Sequence, residues 1–142
     1  MDRIMILAAA AALVCGCQST KDPLTTASTP IAITEPVASA IAGDMASRLA
    51  EHLGPAGPMP IEMRNDKTDF AVALEAAMRG WGYRVIPDTK PEKGQIELSY
   101  SLDSFDGQFL AHVATPAVAL ARTYSGSAIG AVPSSPLSIM QR

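Results

Sequence analysis

The chain has 142 residues, 48% of them hydrophobic and 18% charged, with a formal net charge of -3 and a pI near 5.2. That length suits one domain, the acidic balance excludes a basic nucleic-acid binder, which needs an excess of Lys and Arg, and the apolar content excludes a wholly disordered chain. The two cysteines, Cys15 and Cys17, can build neither a disulfide framework nor a four-ligand zinc site.

The chain opens with Met1-Asp2-Arg3 and an apolar run from Ile4 to Val14. One basic residue before roughly ten apolar ones has the form of a secretory signal peptide. A membrane span needs about twenty apolar residues, and Pro, Gly or charge interrupts every later stretch, so no transmembrane helix is expected after processing. The signal ends in Val14-Cys15-Gly16-Cys17, which resembles a bacterial lipobox: an aliphatic residue, two small ones, then the cysteine to be acylated. Cys17 fits better than Cys15, because Gly16 precedes it where the bulkier Val14 precedes Cys15. The expectation is a signal peptide over residues 1–16 and a lipidated Cys17, whose several acyl chains give stable anchoring. Gln18, rather than Asp, follows the cysteine, which points to the outer membrane with the domain facing the periplasm.

Residues 17–35 read as the lipidated cysteine and a flexible tether rich in Ser, Thr, Pro and Ala. An α+β domain is expected over 36–124. Pro36 opens a first helix, with Val37, Ile41, Met45, Leu49 and Leu53 on one stripe. Gly54-Pro55 ends it. Met59, Ile61 and Met63 alternate with polar or proline neighbours as a half-buried strand, where Pro60 implies an edge or a late start. Thr68 or Asp69 caps a second helix, whose apolar face runs through Phe70, Leu74, Ala77, Met78 and Trp81. Tyr83 to Ile86 is a short strand.

Ile96, Leu98, Tyr100 and Leu102 alternate with Glu97, Ser99, Ser101 and Asp103, the clearest strand pattern in the chain. Ser104 to Gly107 reads as a turn, with Asp106-Gly107 its strongest hairpin signal, into a strand over 108–115. Val118, Leu120, Arg122 and Tyr124 form one face of a final strand, although so Ala-rich a run is also compatible with helix. Residues 125–142 read as an extended tail without a core of its own. The fold class is therefore α+β: two helices packed on a mostly antiparallel sheet of four to five strands, flanked by the tether and the tail.

Chemistry-bearing patterns are sparse. His52 and His112 have no metal-ligand spacing. His52 is read as a favourable charge at a helix C-terminus, and His112 as a surface or rim residue. Asp103 and Asp106 are read as turn residues, although a carboxylate pair can do acid–base work. Gly80-Trp81-Gly82-Tyr83 is read as a corner with Trp81 in the core; an exposed recognition patch is the alternative. No nucleophile elbow, phosphate loop or dinucleotide fingerprint is present. The expectation is a non-enzyme without cofactor or metal. In the tail, Pro136, Leu137, Ile139 and Met140 combine an extended backbone with exposed aliphatics, a segment suited to strand addition or groove binding; a frayed end without function is the alternative.

Four strings carry a family resemblance: Ala40 to Glu51; Ala73 to Ala77 with Gly80-Trp81-Gly82-Tyr83; Ser104-Phe105-Asp106-Gly107-Gln108; and Ser135 to Arg142. Together with the lipobox, they resemble the TrbH family of conjugal-transfer proteins. The resemblance implies an outer-membrane lipoprotein of a plasmid conjugation apparatus, a type IV secretion system, acting as an assembly subunit through contacts with other transfer proteins. It implies no reaction and no direct nucleic-acid contact. A free-standing envelope lipoprotein that binds peptidoglycan or a small ligand is the alternative.

Overall fold

The structure, a computed structural model, describes residues 33–142. Helix α1 (Glu35–Leu53) starts with Pro36 in its first turn and ends at Gly54, whose φ of 75° suits glycine. Its apolar stripe is buried from Val37 to Leu49, and Ala38, Ala42 and Ala46 form a second buried row beside it. Strand β1 (Ile61–Met63) begins directly after the buried Pro60. It lies between two neighbours, so Pro60 marks a late start and not an edge.

Helix α2 (Asp69–Gly80) is capped by Thr68, whose hydroxyl accepts the Ala71 N–H at 3.3 Å. Its other end is a Schellman turn: the Tyr83 N–H donates to the Met78 carbonyl and the Gly82 N–H to that of Arg79, with Gly82 at φ 93°. Strand β2 (Val85–Pro87) then pairs parallel with β1, so β1, α2 and β2 form a crossover unit.

Strands β3 (Ile96–Phe105), β4 (Gln108–Ala114) and β5 (Val118–Ser127) make an antiparallel meander. Asp106 and Gly107 have φ of 46° and 75° and form the two-residue loop between the paired Phe105 and Gln108, as a primed hairpin turn requires. β3 continues through Ser104 and Phe105, so the turn is shorter than the sequence implied. The Ala-rich run is strand: β5 pairs with β4 along its whole face.

The segment 125–142 differs most from its expectation. It is extended, but it belongs to the sheet. β5 runs on to Ser127, and β6 (Gly130–Pro133) and β7 (Ser138–Gln141) pair antiparallel with successive parts of its free edge. The sheet therefore has seven strands rather than four to five, in the order β2-β1-β3-β4-β5-β6 with β7 also on β5. It is mostly antiparallel, and both helices contribute to one core. The physical reason is edge satisfaction: without β6 and β7, the ten-residue β5 would leave its outer N–H and C=O groups unpaired.

The core lies between the helices and one sheet face, filled by Ile41, Met45, Leu49, Leu74, Met78, Phe109, Leu120 and Tyr124. Gly126 is part of that packing, because a Cβ there would stand 2.5 Å from the Phe109 ring. The opposite sheet face carries small and polar residues from Ser99 and Ser101 to Ala119 and Ala121.

Candidate functional site

The C-terminal edge is built on β5. Leu120, Arg122 and Tyr124 point toward the helices, as the alternation of the strand dictates. A guanidinium on that face needs partners, and it has them. Arg122 donates to Asp44 of α1 at 3.0 Å and, through Nε, to the Ser135 carbonyl at 3.0 Å. The Tyr124 hydroxyl donates to the same Asp44 oxygen at 2.7 Å. Arg48 stands 3.7 Å from the other oxygen. Burial pushes the Tyr124 phenol well above its ordinary value, and the bond to Asp44 pushes the same way.

This network ties the first helix to the break between β6 and β7. There the Ser134 N–H donates to the Thr123 carbonyl at 2.9 Å, and the Ser135 hydroxyl accepts the Thr123 N–H at 3.0 Å. Pro133 and Pro136 flank the break. Leu137 then tucks against the core, while Pro136, Ile139 and Met140 are exposed. Of the four tail residues singled out from sequence, three thus face solvent on an ordered edge and one anchors it.

The edge is apolar and uncharged. Ile129 is 91% exposed, Val132 64%, Ile139 47% and Met140 62%. No residue from Ser125 to Gln141 carries a charged side chain. Free edges are ordinarily guarded by charge, and this one is not.

Other candidates are placed apart. Cys17, the expected lipidation site, lies outside the described residues, as do the expected signal peptide and most of the tether. His52 is in the last turn of α1 and His112 on the sheet face away from the helices. Asp103 is exposed on β3, and Asp106 is in the hairpin loop. Among the described residues, no group of three or more His, Cys, Asp or Glu is placed to hold a metal ion. No described helix is long and apolar enough to cross a membrane.

Trp81 is not in the core: it is 54% exposed. The Schellman turn carries the chain past it and buries Tyr83 instead, whose hydroxyl donates to the Gly54 carbonyl. A cleft of about 560 Å³ opens between the start of α2 and β3, lined by Arg64, Asp66, Phe70 and Tyr100 among others. Several of its polar groups serve one another. The Tyr100 hydroxyl donates to Asp66 at 3.2 Å, and the Arg64 guanidinium lies 5.2 Å from the Tyr100 ring centroid. The Thr68 N–H bonded to Asp66 holds that carboxyl below its ordinary value.

Sequence reasoning missed the Asp44–Arg122–Tyr124 network. The one signal was Arg122 itself, a charge on the apolar face of a strand.

Fold and edge together define a small α+β domain whose ordered features are a closed core and an open, charge-free sheet edge. The family model for the conjugal transfer protein TrbH matches residues 19–142. A protein of Sinorhizobium fredii (strain NBRC 101917 / NGR234), described as a probable conjugal transfer protein TrbH, is 53% identical over 147 aligned positions, covering 100% of this chain and 99% of that protein. The chain belongs to the TrbH family of conjugal transfer proteins. No solved structure matches it.

Proposed function

We propose that this conjugal transfer protein is an outer-membrane lipoprotein of a plasmid conjugation (type IV secretion) apparatus, held by acyl chains on Cys17 and working as an assembly subunit. The observation that carries this reading is the Val14-Cys15-Gly16-Cys17 string at the end of an apolar leader in a TrbH chain. Several acyl chains on one residue anchor stably. A tether of sixteen residues, Gln18 to Ile33, reaches about 55 Å when fully stretched. That reach lets the domain meet other transfer proteins in the periplasm.

The contact surface in this reading is the C-terminal edge with Pro136, Leu137, Ile139 and Met140. Strand addition to such an edge uses main-chain bonds for affinity and alternate side chains for specificity. The protein does its work by holding others in place, with no turnover of its own.

Deleting the gene and measuring plasmid transfer between cells tests the reading. Transfer should fall sharply and return when the intact chain is supplied in trans. An unchanged transfer frequency would refute it.

A further inference from the structure

We infer that the free edge of β7 pairs with the same strand of a second copy, antiparallel across a two-fold axis at Met140. This deepens the reading of the edge as a contact surface by naming its partner.

The hydrogen-bond phase of β7 is set by one observed bond. The Arg142 N–H donates to the Ala117 carbonyl, and Gln141 lies opposite Val118. In an antiparallel ladder, residues alternate between bonding toward one neighbour and toward the other. Ser138 and Met140 therefore bond inward to β5, whereas the N–H and C=O of Ile139 and Gln141 point outward. Among the described residues β7 pairs with β5 alone, and all four of its residues are exposed.

Two such edges fit one another. With Met140 opposite Met140 of the second copy, each Ile139 meets the other's Gln141, forming about four main-chain bonds and a continuous sheet. The faces agree as well. Ile139 lies opposite Leu120 on the helix side, and Met140 lies opposite Ala119 on the other side, so the two-fold puts like face on like face. The small Ala119 and Ala121 leave the Met140 side chain standing clear of the sheet to meet its symmetry mate.

Charge selects the second copy as occupant. The chain is acidic, with a net charge of -3, so two copies carry like net charge. The segment from Ser125 to Gln141 has no charged side chain, so two copies meet there without like-charge opposition. A four-residue strand buries less than the ~1,200 Å² of a standard interface, so the pairing is weak in solution. Confinement on a membrane raises its effective concentration.

The test uses the chain with Cys15 and Cys17 replaced by serine, which leaves it free of acyl groups and native thiols. Sedimentation velocity from about 1 µM to about 1 mM should show a monomer passing to a dimer. Met140→Lys, at an exposed position that leaves the circular dichroism spectrum unchanged, should weaken dimerisation at least about ten-fold by facing two ammonium groups. Met140→Cys should form a disulfide dimer on mild oxidation, since a non-hydrogen-bonded pair brings Cα atoms to about 4.5 Å. Ala128→Cys, on the exposed turn between β5 and β6, should not. A monomer at every concentration, dimerisation indifferent to Met140→Lys, or equal crosslinking from Ala128→Cys would overturn the inference. Because these readouts use isolated protein, such a failure leaves the transfer role standing, while unchanged transfer after gene deletion would leave the pairing standing.

Discussion

Arg122 sits on the apolar face of β5, where a charged group is admitted only with partners on every side. Asp44 supplies one partner from α1 and the Ser135 carbonyl another. The alternation Val118, Leu120, Arg122, Tyr124 already places the guanidinium on the inner face. Its partner was not legible, because Asp44 lies 78 residues away and only the docking of α1 on β5 brings them together. Tyr124 gives this network an alkaline signature. Its folded pKa is raised above the ordinary 10.0, so the stability it contributes is fully present below pH 10 and is lost as pH rises beyond. Tyr124→Phe should cost about 1 kcal/mol at pH 7 through the lost bond to Asp44. It should also flatten part of the fall in melting temperature between pH 9 and 12. Tyr83 and Tyr100 are raised in the same direction by burial and contribute to the same fall. Thermal melts across that range, compared with the parent chain, check it.

At the scale of elements, local pattern determined most of what is seen. The stripe from Val37 to Leu49, the Thr68 cap, the alternation in β3 and the Asp106-Gly107 hairpin all rest on residues a few positions apart. Trp81 shows where such reasoning stops. Helical spacing puts it on the face of Phe70 and Met78, but the helix ends at Gly80, and the turn at Gly82 gives Tyr83 the buried place. The C-terminal segment is the larger case. Its Gly, Ser and Pro content resembles a tail, and its short strands carry little pattern of their own. They are strands because β5 offers an edge. Gly130 approaches α1 closely, and Ala131 and Leu137 pack on the core. Truncation after Tyr124 should therefore destabilise the domain rather than trim a loose end. A fall in melting temperature of more than about 10 °C is expected, corresponding to a loss of about 2 kcal/mol or more. An unchanged melt would mean that β6 and β7 are peripheral to the fold.

The whole molecule combines an acidic, closed domain with an uncharged edge at one side of its sheet. Anchoring, in the proposed reading, rests on one atom, the Cys17 sulfur. Cys17→Ser should move the protein from the membrane fraction to the soluble fraction and abolish incorporation of labelled palmitate. The domain's melting temperature should not change, because in that reading the Cys17 sulfur serves only the anchor. Fractionation with labelled fatty acid measures the first effect and a thermal melt the second. Retention of the serine variant in membranes would remove the anchor from the reading.

Sequence by itself determined the two helices, β1 to β5 and the fold class, since helix stripes, strand alternation, caps and turn residues act over a few positions and need no knowledge of the rest of the chain. It also carried the family, in strings that run from Ala40 to Arg142. Tertiary structure alone decided the parallel place of β1 between β2 and β3, the burial of Tyr83 in place of Trp81, the pairing of Asp44 with Arg122, and the recruitment of residues 130–141 to the sheet. Each of these depends on groups distant in the chain meeting one another, and on the cost of leaving a strand edge or a buried charge without a partner.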